Sequence, residues 1–140
     1  MLSISGAIVQ SSFAELGSAG PDLAKAFYKE LFDLDPSLRA LFSGDIHTQE
    51  AQLLAMIRTG VGLLGEPHRL QPILRQLGRR HVSYGVGPNH YRLVGLALAR
   101  SLELCLGAGF TDEVRKAWLK FCQMIINSMI EGAIEVAEAG

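Results

Sequence analysis

Cysteine, proline and charge are all in short supply in this chain of 140 residues, which holds only two cysteines, five prolines and one tryptophan. Two cysteines cannot build a disulfide scaffold, and Cys105 and Cys122 lack metal-type spacing, so reduced thiols in a cytoplasmic protein are expected. Charged residues make up 19% of the chain and nearly cancel, leaving a formal net charge of −1. Such a balance gives no electrostatic footprint for nucleic acid or an anionic membrane surface, and neither is expected as a partner. No apolar run approaches the ~20 residues of a membrane span. The amino terminus, Met1-Leu-Ser-Ile-Ser, lacks the basic stretch and long apolar run of a secretory leader. Strand-type alternation is missing as well, which removes folds built on sheets.

What the chain does have is apolar content, 49% of its residues, and almost all of it recurs at helical spacing. That composition fits one globular domain spanning residues 1–140. Leu23, Phe27 and Leu31 repeat every four residues after Pro21, which sits well near a helix start. Asp35-Pro36 marks a turn, and the segment to Phe42 reads as one more tight helical piece. Ser43-Gly44-Asp45 breaks the pattern. Thr48 is the expected cap of the next helix, whose stripe is Leu53, Ile57, Val61 and Leu64. Gly65-Glu-Pro67 ends that helix, and Leu70, Ile73, Leu74 and Leu77 lead to His81. Gly85, Gly87 and Pro88 interrupt again. Tyr91, Val94, Leu98, Leu102 and Cys105 then face one way, up to Gly107-Ala-Gly109. Thr111-Asp-Glu113 opens a last helix with Val114, Trp118, Phe121, Ile125 and Met129 inward. The expectation is an all-α domain of roughly seven helices.

Three features carry chemistry. Gly60-Val-Gly-Leu-Leu-Gly65 matches the G-x-G-x-x-G string of dinucleotide-binding folds, but that loop works only between a strand and a helix. At the end of a helical stripe, glycines that permit close helix packing or fraying explain it better. Arg69, Arg75, Arg79, Arg80 and Arg92 make the middle of the chain basic. A solvated face is the ordinary explanation; the alternative is a partner for cofactor carboxylates, for which Arg80, beside His81, is the nearest candidate. His81 itself, on a helix edge, can offer one neutral nitrogen to a metal. No second ligand stands at helical spacing, so a zinc site would lack ligands. A metal held by one protein ligand needs its others from a cofactor, and haem supplies four.

Five segments then resemble one family in its order and spacing: Ala26-Phe-Tyr-Lys-Glu-Leu-Phe32, Pro36-Ser-Leu-Arg-Ala-Leu-Phe42, Gly78-Arg-Arg-His81 with Tyr84-Gly-Val86, His90-Tyr91 with Leu93-Val94-Gly95, and Ala117-Trp118. The chain resembles a globin, specifically the single-domain bacterial haemoglobins and the haem domain of flavohaemoglobins. The resemblance implies a globin fold sandwiching one haem b, with His81 as the proximal iron ligand and its other nitrogen donating to a carbonyl about one turn earlier, that of Leu77. It implies that Phe42 packs on the haem face, that Leu53 lines the distal pocket, and that Val86 and Val94 press from the proximal side. Tyr91 would sit close to the His81 ring. Counting without gaps places Tyr28 and Gln49 on the distal side as hydrogen-bond donors to a diatomic ligand; a slip of one residue would substitute Glu50.

The chain departs from the family at Ala133, where flavohaemoglobins carry a glutamate that joins a network with the proximal histidine. Glu131 and Glu135 are near in sequence but point to other faces. Cys122 stands where relatives often have a tyrosine. The chain ends at Gly140, so no flavin or nicotinamide domain is expected. Oxygen and nitric oxide are the implied ligands, with a separate reductase as partner if nitric oxide is turned over; a monomer or weak homodimer is expected. The competing reading is a haem-based sensor or electron-transfer module acting through a partner.

Overall fold

The computed structural model describes residues 2–42, 44–83 and 88–139, without the side chains of 82, 83, 88 and 136–139. Six α-helices account for most of the described residues: α1 (Ile4–Leu16), α2 (Gly20–Leu34), α3 (Ile46–Gly62), α4 (Pro67–Ser83), α5 (Pro88–Leu106) and α6 (Asp112–Ala139). Three 310 segments, Gly17–Ala19, Pro36–Leu41 and Gly107–Gly109, join them. No strand occurs among the described residues, and the all-α expectation is met. Among these residues no helix is long and apolar enough to cross a membrane.

Local chemistry sets the helix ends. Ser3 caps α1 by accepting from the Gly6 amide at 3.0 Å. Gly17, at φ 52°, closes the same helix in the left-handed region that glycine enters without steric cost. Pro21 sits in the first turn of α2, where its missing N–H costs nothing. The cap of α3 is Asp45, not Thr48. Asp45 has extended backbone and accepts from the His47 amide at 3.1 Å, which leaves Thr48 inside the first turn.

Packing pairs α4 with α6 most extensively, then α2 with α5 and α1 with α6. One apolar cluster runs through all of them and includes Leu23, Phe27, Ile57, Leu74, Leu102 and Trp118. The stripes expected from sequence point inward with one exception: Ile73 is 43% exposed. Leu70 and Leu74 set the buried face of α4, and Ile73 falls at its edge. Trp118, 1% exposed, ties α6 to α1: its indole N–H donates to Ser12 Oγ at 2.8 Å, and that hydroxyl lies 2.7 Å from the Ile8 carbonyl. Gly60 lets α3 approach α6, because a Cβ there would stand 3.1 Å from the Phe121 ring. Gly60 of the 60–65 string therefore serves helix packing, whereas a Cβ on Gly62 or Gly65 would meet no neighbouring side chain or backbone, and no strand precedes the string among the described residues.

Candidate functional site

Helix α4 carries His81 near its carboxyl end, half-buried, with Nδ1 2.8 Å from the Leu77 carbonyl oxygen. A carbonyl can only accept, so the proton sits on Nδ1 and the lone pair on Nε2, the tautomer that ligates a metal through Nε2. Burial pushes the His81 pKa below its usual value, the Arg80 cation adds to the effect, and the Leu77 contact opposes it. The ring is therefore a neutral imidazole at pH 7, the form that ligates a metal. Arg80 is exposed.

A second group of side chains forms where α2, the 310 segment and the start of α3 meet. Tyr28 is buried, with its ring edge-on to Phe42 at 5.4 Å and to Phe27 at 5.1 Å. Phe32 completes an aromatic triangle with Phe42, 5.6 Å between centroids. The Tyr28 hydroxyl donates to the backbone carbonyl of Gln49 at 3.4 Å, a long bond that a better acceptor would displace. Burial, reinforced by the Glu50 carboxylate, holds the Tyr28 pKa up at about 12. The hydroxyl thus stays protonated, and a donor, throughout the physiological range. Gln49 and Leu53 are half-buried on α3.

On α5, Tyr91 is buried and Val94 half-buried. Tyr91 Oη has no hydrogen-bond partner among the described residues, and burial raises its pKa. Val86 lies outside the described residues, as do Tyr84, Gly85 and Gly87 of the same segment. Tyr28 and Tyr91 belong to the central apolar cluster, and Phe42, Leu53, Leu77 and Val94 pack against it with part of their surface uncovered. Half-covered apolar side chains on several elements, in a chain that also holds one neutral imidazole, are the kinds of group that suit a flat apolar group bearing a metal.

Three features of this region are not evident in the sequence. Glu50 lies close enough to Tyr28 to raise its pKa, and it also pairs with His47 at 3.4 Å. Arg75 and Arg79, read from sequence as a solvated face, cross to α6: Arg75 pairs with Glu131 at 3.0 Å, and Arg79 with Glu135. These pairs hold the two carboxylates that flank half-buried Ala133. Gly78 and Gly132 are buried where α4 and α6 touch. The helical pattern gave a signal for the arginines, but their partners are more than fifty positions away.

Other groups stand apart. Cys122 has its pKa pushed up to about 12 by burial, which keeps it a thiol, and both cysteines are free. No cluster of three or more His, Cys, Asp or Glu could hold a bare metal ion among the described residues. A cavity of about 440 Å³ opens between the start of α1 and the middle of α6, lined by Val9, Leu70 and Phe121 among others; it contains none of the residues above.

The sequence profile of the Globin family matches residues 25–129. Neuroglobin of Danio rerio is 28% identical over 139 residues, covering 89% of this chain and 87% of that protein. A flavohemoprotein of Bordetella parapertussis is 33% identical over 116 residues, covering 80% of this chain and 29% of its own length. The present chain therefore spans about a third of such flavohemoproteins. An engineered carbene transferase from Rhodothermus marinus, provisionally named a nitric oxide dioxygenase, superposes with a TM-score of 0.89 at 22% identity, over 99% of this chain and 98% of that one. The chain belongs to the globin family.

Proposed function

We propose that this globin binds haem b through His81 and reversibly holds a diatomic gas, oxygen first and nitric oxide second. The observation that carries the reading is the His81–Leu77 contact of 2.8 Å, which fixes the tautomer and leaves the lone pair on Nε2. The donor set fits haem: one imidazole is too few ligands for a bare ion but enough for a metal that brings four of its own. When bound, haem would supply an iron that takes a ligand from His81 and can bind a diatomic gas. Phe42, Leu53, Leu77, Val94 and Val86 are the apolar residues assigned to the macrocycle. Arg80, exposed beside His81, is the cation assigned to its carboxylates.

On the opposite side, Tyr28 supplies a donor in a dry setting, and Gln49 a second from the first turns of α3. A hydrogen bond to a charged or polarised acceptor in such a place stabilises it by about 1–3 kcal/mol. Removing the Tyr28 hydroxyl in Tyr28→Phe should speed oxygen release by roughly tenfold to a hundredfold. Gln49→Leu should have a smaller effect in the same direction. Stopped-flow displacement of oxygen by carbon monoxide measures both. Unchanged release in both variants would remove the distal donors from the account.

Ala133 bears on what the gas is held for. Glu131 and Glu135 pair with Arg75 and Arg79 on the outer side of α4 and α6. With Ala133 between them, no carboxylate is supplied from that position to strengthen the His81 ring as a donor to iron. A weaker proximal donor favours holding a gas over cleaving it. Repeated nitric oxide oxidation then rests on a separate reductase. Nitric oxide consumption by the ferrous oxygenated protein should stall after one equivalent and resume when a flavin reductase and nicotinamide are added. Sustained consumption without any reductant would refute that division of labour.

A further inference from the structure

Helices α4 and α6 run antiparallel and touch backbone to backbone at a reciprocal pair of glycines. A Cβ on Gly78 would collide with the Met129 carbonyl group, and a Cβ on Gly132 would collide with that of Arg75. Each glycine sits one turn from the carbonyl that meets its opposite number, so the two contacts form a closed four-residue crossing. The obstacle in both cases is main chain, not a flexible side chain, and neither helix can yield by changing a rotamer. The approach has the form of a Cα–H···O=C contact, which tolerates no side chain at the glycine. On the outer side of the same crossing, Glu135 pairs with both Arg75 and Arg79.

The crossing lies one turn before His81, and Leu77, whose carbonyl fixes the imidazole, is the neighbour of Gly78. The turn that carries the candidate ligand and its orienting carbonyl is therefore seated directly on α6. We infer that Gly78 and Gly132 are positioning residues, which set the height and tilt of His81 by holding α4 on the α6 backbone, with Glu135 as a lateral tie. The inference rests on the reading of His81 as iron ligand and deepens it. Space for a side chain at either glycine can come only from lifting α4, and His81 moves with the lift.

The test uses Gly78→Ala, Gly132→Ala and Glu135→Gln, with Gly62→Ala as the control because nothing lies within 4 Å of its Cβ position. Two readouts are taken. In the ferrous, unligated haem complex, resonance Raman gives the iron–histidine stretching band. In the haem-free chain, NMR gives the exchange rate of the His81 Nδ1 proton. Both glycine variants should shift the Raman band and speed that exchange by about tenfold or more, while Gly62→Ala changes neither. Glu135→Gln, an exposed substitution that leaves the helix backbones in contact, should shift both in the same sense by less. A lowered melting temperature with both readouts unmoved, in whichever of these variants fold, would make the glycines structural only and overturn the inference. A parent chain that shows no iron–histidine band would instead defeat the haem reading, and the haem-free exchange rates would still decide the positioning role.

Discussion

His81→Gly is expected to fold and to lose most of its hold on haem. The substitution costs α4 only about 0.5–1 kcal/mol of helix propensity. His81 is half-buried, so its removal opens less space than loss of a fully buried side chain. For haem, the proposed loss is that of the iron bond through His81. Outer partners of metal ligands already account for about 10–100-fold in affinity, and loss of the ligand itself should exceed that. Free imidazole can enter the vacated space and restore the bond without restoring the tether to α4. Haem transfer to an acceptor globin measures the change. Fast transfer from the variant, slowed by imidazole, is the expected result; transfer as slow as from the parent would mean that another residue binds the iron.

Trp118→Ala should cost about 3–5 kcal/mol of stability, a large share of the 5–15 kcal/mol available to a domain of this size. Trp118 is 1% exposed and packs edge-on to Phe121 at 5.3 Å and tilted to Phe13 at 6.3 Å. Truncation leaves a hole at the junction of α1 and α6 that these rings cannot both fill. It also strips Ser12 of the donor it accepts at 2.8 Å. Ser12→Ala isolates the polar part: the indole N–H then stays buried without an acceptor, at a cost of about 1–3 kcal/mol. Urea unfolding followed by circular dichroism gives both values from the shift in midpoint. Equal costs in the two variants would show that the hydrogen bond, not the packing of the ring, dominates this junction.

Much of this was legible in the sequence because the helices that frame the site bury large residues at regular spacing. Leu23, Phe27 and Leu31 on α2 and Trp118, Phe121, Ile125 and Met129 on α6 all lie in the core. Helix α1 left no such trace. Its buried residues are Gly6, Val9, Ser12 and Leu16, two of them small or polar, and no apolar stripe distinguishes them. Thr48 and Asp45 are both good caps by type, and only backbone conformation decides for Asp45. The arginines of α4 show charge without revealing Glu131 and Glu135 as their partners. Gly132 was invisible for a deeper reason. A glycine inside a helix carries no pattern, and the need for it arises from a carbonyl on another helix.

The candidate site divides the same way. His81 and its carbonyl partner lie four residues apart on one helix, so periodicity brings them together. Tyr28 meets Phe42 and Gln49 only after the chain turns through Asp35 and the 310 segment, and no local pattern encodes that meeting. Family spacing put Tyr28 and Gln49 on one side of the expected site, but the ring contact with Phe42 and the bond to the Gln49 backbone had no signal. The influence of Glu50 on Tyr28 was outside the reach of either, since it depends on which way the first turn of α3 faces.

The visible absorption spectrum of the purified chain titrated with haem tests the central claim most directly. The account predicts an intense Soret band that saturates at one haem per chain, shifts on adding carbon monoxide to the ferrous form, and disappears in His81→Gly unless imidazole is supplied. A folded parent chain that gives no saturable Soret band, or one that His81→Gly leaves unchanged, would contradict it.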